Sequence, residues 1–174
     1  MKLRLPFHLA VLVALLALGS GGAATPGDDP LVPLAAPYDP DADAEATIED
    51  ALARARRTDR LVLLQFGANW CPDCRQFAAL LEDAAVAPMV EEAFVVAKVD
   101  VGNWDRNLAV AERYGNPIAN GIPAAVFLDG SGEVVAATLM GELSRARTFE
   151  AEDVVEFLRG ILDRGLGSTA GGAR

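Results

Sequence analysis

Between residues 44 and 164 the apolar positions switch repeatedly between a helical period and short continuous runs. Ala46 to Arg57 carries Ile48, Ala51, Leu52 and Ala55 at helical spacing. Leu61-Val62-Leu63-Leu64-Gln65-Phe66 is nearly continuous, the pattern of a strand covered on both faces. From Pro72 to Ala85 the spacing predicts a helix with Phe77, Leu80 and Leu81 on one side, and Phe94 to Val99 predicts a second strand. Asn107 to Tyr114 predicts a short helix ended by Gly115. Ala124 to Leu128 and Val134 to Ala137, joined by Asp129-Gly130-Ser131-Gly132, predict a β-hairpin. Ala151 to Arg164 closes the pattern as an amphipathic helix with Val154, Val155, Phe157, Leu158, Ile161 and Leu162. The order αβαβαββα predicts an α/β fold, a central mixed β-sheet covered by helices on both faces.

The flanks follow a different logic. Lys2 and Arg4 precede an unbroken apolar run of ten residues, Leu9 to Leu18, and then the small residues Gly19 to Ala24. That order predicts a secretory signal peptide over 1–24. A bilayer-spanning helix needs about 20 apolar residues, so no stable membrane insertion is expected once the signal is removed. Residues 25–43 contain Pro26, Pro30, Pro33, Pro37 and Pro40 and read as an extended leader, with room for an edge strand near Leu31–Leu34. One folded domain is expected over 44–164, within the 174-residue chain, and a frayed tail over 165–174.

Charge and composition remove several functions. Cleavage after Ala24 would take away Lys2 and Arg4 and leave 13 of the 15 Lys and Arg against 25 Asp and Glu, a net charge of about −12. Such a surface repels nucleic acid. The sole histidine, His8, lies in the signal segment. The mature chain therefore has no imidazole for Ser-His-Asp or Cys-His catalysis, or for a histidine metal site.

The remaining chemistry is in Trp70-Cys71-Pro72-Asp73-Cys74. Two cysteines alone do not complete a zinc site. A disulfide closing so small a loop constrains the unfolded chain little, which leaves a redox pair as the reading that uses both residues. Pro72 suits the first helical position, making Cys71 the N-cap with its sulfur at the positive end of the helix. The thiolate of Cys71 is favoured there as nucleophile, and Cys74, one turn on, is placed to resolve a mixed disulfide. Asp73 tunes the pair: its charge would raise the Cys71 pKa and favour reduction, unless the carboxylate points into water and is screened.

Phe66-Gly67-Ala68-Asn69-Trp70-Cys71-Pro72-Asp73-Cys74-Arg75 resembles the active-site segment of the thioredoxin superfamily. Gly121-Ile122-Pro123-Ala124 resembles that family's cis-proline loop, and Lys98-Val99-Asp100 its central-strand segment; the likeness runs from Leu61 to Val135. It implies a thioredoxin-like fold, a cis peptide before Pro123, an Ile122 backbone that hydrogen-bonds an extended substrate, and Trp70 flanking the site, either as an apolar contact surface or as a packing residue. Gln65 stands where the family commonly has a buried acid, and an amide cannot relay a proton. Lys98 matches that acid's usual companion and is expected either to pair with Asp100 or to form a surface ion pair. The segment Asn116–Asn120 lengthens the approach to Gly121, either shaping partner choice or as a tolerated loop. Trp104 is read as packing or as a partner contact.

These readings converge on an exported thiol–disulfide oxidoreductase of the bacterial periplasm, reducing protein disulfides or relaying electrons, with Cys71 as nucleophile and Cys74 resolving. Its expected partners are protein thiols and disulfides and a membrane electron donor. No cofactor beyond the Cys71–Cys74 disulfide, and no metal, is expected. A disulfide oxidase or isomerase using the same cysteines, and a non-catalytic binding or chaperone-like module, are the alternatives. A copper-handling role is weakened by the missing histidine.

Overall fold

The computed structural model describes residues 36–169. The expected signal segment, the possible edge strand near Leu31–Leu34 and the last tail residues lie outside them. The chain runs through α1 (Ala44–Thr58), β1 (Leu61–Gly67), α2 (Pro72–Leu81), α3 (Ala87–Ala93), β2 (Phe94–Asp100), α4 (Leu108–Arg113), β3 (Ala124–Leu128), β4 (Val134–Ala137) and α5 (Ala151–Thr169). Single 3-10 turns at Pro117–Asn120 and Ala146–Thr148 precede β3 and α5.

The four strands lie in the order β2-β1-β3-β4. β1 runs parallel to β2 and antiparallel to β3, so the sheet is mixed. Alternation along the strands sorts side chains to two faces. Val62, Leu64 and Phe66 of β1 pack with Ile48, Ala51 and Ala55 of α1 and Val110 of α4. On the other face Leu63 packs with Phe77 of α2, Val90 of α3 and Leu158 and Ile161 of α5, where Phe127 stacks edge-on against Phe94 with ring centres 5.7 Å apart. Strand β1 is buried at every position from Val62 to Gly67, as its continuous apolar run requires. The fold class expected from the sequence is the one observed: a mixed sheet with helices on both faces.

Three boundaries differ from the sequence expectation. The single helix expected over Pro72–Ala85 stops at Leu81, and a separate α3 follows. The break is made by Asp83, whose side chain accepts the Ala85 N–H and whose carbonyl accepts those of Val86 and Ala87; Pro88 then starts the new helix. α3 is only seven residues long, with Val90 its single buried residue, too short a pattern to show as a period. Helix α5 continues beyond Arg164 to Thr169 into the expected tail, since each added residue gains one hydrogen bond on an established helix.

The third difference positions the site. Residues 36–43, expected as leader, are packed into the domain through Tyr38, which is 1% exposed. Asn69 clasps the Tyr38 backbone: its side-chain oxygen accepts the Tyr38 N–H at 3.0 Å and its Nδ2 donates to the Tyr38 carbonyl at 2.7 Å. The Tyr38 ring fills the space above Gly67, where any Cβ would overlap the phenol. Burial, aided by the charge of Asp100, pushes the Tyr38 hydroxyl well above its ordinary pKa. Gly67→Ala is therefore expected to destabilise the protein by about 1–3 kcal/mol through overpacking. In urea unfolding of the oxidised protein, adding Gly67→Ala should cost much less in a Tyr38→Ala background; additive costs would remove this account.

Candidate active site

Strand β1 ends at Gly67, and a short loop delivers the chain to α2. Cys71 has an extended backbone (φ −83°, ψ 115°) and Pro72 takes the first helical position, so helical geometry begins immediately after the cysteine. Cys71 caps the helix with its sulfur, which accepts the backbone N–H of Cys74 at 3.2 Å. The turn is closed on its other side by the Cys71 N–H donating to the Ala68 carbonyl at 3.1 Å. Cys71 and Cys74 are joined as a disulfide, their Cα atoms 5.3 Å apart. Cys71 keeps a small accessible edge at 4% exposure, whereas Cys74 is fully enclosed.

The second half of the site comes from the approach to β3. The Ile122–Pro123 peptide is cis, and the Ile122 carbonyl oxygen lies 3.6 Å from the Cys71 sulfur. Both residues are buried, with Gly121 at φ 110° immediately before them. Trp70 forms a third side. It is 50% exposed, its Nε1–H donates to the Gly102 carbonyl at 2.8 Å, and its ring centre lies 6.3 Å from that of Trp104. The indole is therefore held in place while still presenting a face to solvent. Trp104 occupies a left-handed backbone position at φ 66°, where a bulky side chain costs on the order of 1–3 kcal/mol.

The charged neighbours differ from what the sequence suggested. Asp73 does not point into water: its side chain is 6% exposed and is gripped by Arg147. The Arg147 Nη2 lies 2.6 Å and its Nε 3.0 and 3.1 Å from the carboxylate oxygens, and the Arg147 backbone N–H adds a bond of 2.9 Å. Burial pushes the Asp73 carboxyl up, but these hydrogen bonds and the guanidinium charge outweigh it and hold it below the ordinary range. Arg147 sits 74 residues away in the 3-10 turn before α5, so no local pattern could have paired them.

Lys98 does not pair with Asp100. Its ammonium lies 3.2 Å from Glu82 at the end of α2, the surface ion pair that was the alternative. Asp100 instead faces Arg106 at 3.9 Å. Although Lys98 and Asp100 share a strand face, the lysine is long enough to reach the α2 terminus. Gln65 is fully buried in β1, between Lys98 of β2 and Ala125 of β3, and neither its amide oxygen nor its nitrogen has a protein partner. Among the described residues no cluster of three or more His, Cys, Asp or Glu is arranged to hold a metal ion.

The arrangement has known counterparts. Residues 43–130 match the family model described as Thioredoxin-like. The chain is 42% identical to the solved disulphide isomerase from Xylella fastidiosa Temecula1, with a TM-score of 0.72 over 74% of this chain and 98% of that one. It is 34% identical to a thioredoxin of Rhodospirillum rubrum over 62% of this chain and 90% of the relative. It is also 32% identical to the thiol:disulfide interchange protein DsbD of Ralstonia nicotianae, over 75% of this chain but only 23% of that longer protein. The capped CxxC, its place between β1 and α2 and these likenesses together make the chain a member of the thioredoxin-like family and a thiol–disulfide oxidoreductase.

Proposed function

We propose that this protein is an exported protein-disulfide reductase or electron relay of the bacterial periplasm, supplied with electrons by a membrane donor. The observation that carries the exchange chemistry is the Cys71 sulfur, held at the N-terminus of α2 by the Cys74 N–H and 3.6 Å from the Ile122 carbonyl. Once reduced, Cys71 ionises most easily, because the helix end and that N–H favour negative charge. Its thiolate attacks one sulfur of a client disulfide; a mixed disulfide forms and the other client sulfur leaves as a thiolate. Cys74 then gives up its proton and attacks the Cys71 sulfur. The second client thiol departs and the Cys71–Cys74 disulfide returns, two electrons having passed to the client. Ile122 and Pro123 border the path of the client chain, and Trp70 flanks it.

Export is supported by residues 1–24, whose charge, apolar run and small-residue end have the order of a signal peptide. Among the described residues no helix is long and apolar enough to cross a membrane. The reductive direction rests on electrostatics. Asp73 is matched by Arg147, and the mature chain has no imidazolium to stabilise a thiolate strongly. The Cys71 thiolate is then stabilised chiefly by its helix, which favours a thioredoxin-like potential over that of a strong oxidant. Oxidation or isomerisation is the second reading, favoured by the 42% identity to a disulphide isomerase.

Equilibration of the mature protein in dithiothreitol or glutathione buffers is expected to give a reduction potential near −270 mV; a value near −180 mV would move the protein to isomerisation, and one near −120 mV to oxidation. Cys74→Ser should accumulate mixed disulfides with client proteins, and Cys71→Ser should not.

A second prediction follows from the Asp73–Arg147 pair. In the native protein Asp73 has a depressed pKa, so its contribution to stability is present above the unfolded value of about 3.9 and is lost as pH falls through the folded value. Arg147→Gln leaves burial unopposed and raises the Asp73 pKa. The stability gap between wild type and variant is expected to be large at neutral pH and to close below about pH 4. In the reduced protein the same variant should raise the Cys71 pKa, read from thiolate absorbance, because the Asp73 charge is then unmatched. A pH-independent stability gap and an unmoved thiol pKa would show that the pair is only a structural tie.

A further inference from the structure

We propose that Asp100, reached through the Tyr38 hydroxyl, takes the proton that Cys74 releases when it resolves the mixed disulfide; this rests on the disulfide-exchange reading above. The resolving step needs such a group. Cys74 is fully enclosed, so bulk water does not reach its thiol, and the amide of Gln65 cannot act as a base.

Strand register assembles the path. Gln65 and Gly67 leave β1 on one face, and they stand opposite Lys98 and Asp100 of β2, whose side chains leave on that same face. Helix α2 folds back over this face. Phe77 packs with Leu63, and Cys74, one turn nearer the helix start on the same buried stripe, comes over the next inward position of β1, Gln65. The Tyr38 hydroxyl occupies the place where a Cβ on Gly67 would stand. It therefore lies beside both Gln65 and Asp100, and Tyr38 packs in the same cluster as Cys74.

Each group in this corner has unused capacity. The Tyr38 hydroxyl and both amide atoms of Gln65 are buried without a protein partner. Buried polar atoms are rarely left so, and a bridging water joins such groups at little entropic cost. A hydroxyl accepts and donates at once, which a relay requires, and burial keeps Tyr38 in its neutral form. Asp100 supplies the basic end. Its side chain is only 8% exposed, and its one ion pair among the described residues is with Arg106, at a loose 3.9 Å. Lys98 is turned away to Glu82, and Asp73 is held by Arg147, so neither competes. On its far side Asp100 borders a cleft of about 200 Å³ with Asn69, Trp70, Asp105 and Arg106, through which the proton leaves.

The transfer balances. The Cys74 thiol gives its proton through a bridging water to the Tyr38 oxygen, while the Tyr38 O–H hands its own to the Asp100 carboxylate. The Cys74 thiolate then attacks the Cys71 sulfur, the new S–S bond forms, and the client sulfur leaves with the electron pair. Asp100 afterwards loses its proton to solvent at the cleft.

The test mixes the mature, reduced protein with an equimolar symmetrical nitroaryl disulfide, whose released thiolate is coloured. Attack by Cys71 releases the first thiolate and resolution by Cys74 the second, so stopped-flow absorbance reads the two steps separately. Asp100→Asn is expected to slow the second phase by about tenfold or more at neutral pH, while the first phase stays within about twofold. The slowed phase should also rise more steeply with pH than in the wild type, since hydroxide must then take the proton. Tyr38→Phe, which keeps the ring over Gly67, should act the same way. Gln65→Glu in the Asp100→Asn background should restore the second phase by placing a carboxylate next to the thiol. A second phase unchanged in either single variant, or both phases slowed alike, would overturn the relay. If the wild-type protein released no second thiolate, the disulfide-exchange reading itself would fall.

Discussion

The antiparallel pairing of β1 with β3 is the constraint from which the site follows. Phe66 stands opposite Ala124, so the end of β1 and the start of β3 lie side by side at one end of the two central strands. The chain leaving β1 reaches Cys71 within a few residues, and the chain entering β3 has just passed Ile122 and Pro123. The 3.6 Å approach of sulfur and carbonyl is thus set by strand register, and a one-residue slip would also exchange the two buried faces of β3. The apolar cores on both sides of the sheet hold that register.

The elements with strong periods were legible in the sequence because burial on defined faces imposes those periods. β1, with apolar residues nearly throughout, and α5, with one apolar stripe, are examples. The CxxC and its helix-starting proline were legible for a similar reason: the local residues make their own geometry. Contacts across long sequence separations were not. Arg147 grips Asp73 from a turn that has no pattern of its own, and Tyr38 fills the space over Gly67 from a stretch whose prolines suggest a leader. For Lys98 the sequence left two partners open, because strand-face alternation says which side a lysine leaves from and nothing about how far its head travels; the surface ion pair with Glu82 is the one formed.

The polar groups around the cysteines leave their chemistry largely to the helix. Gln65 is neutral and buried, and Asp73 has its counter-ion in contact. What differs from a plain hydrophobic setting is placement: a carboxylate in the first turn of α2 whose effect on the adjacent sulfur depends on one guanidinium that is itself half in solvent. A surface substitution or a partner that drew Arg147 away would alter the thiol without touching either cysteine.

The two tryptophans have an optical consequence. Trp70 and Trp104 are the chain's only tryptophans, and their rings lie 6.3 Å apart, with Trp70 next to Cys71 in the chain. All indole emission therefore originates at one face, next to a group that quenches excited indoles when oxidised and does so less when reduced. The protein carries its own fluorescent reporter of cysteine oxidation state and of occupancy at that face, with no third indole elsewhere to dilute the signal.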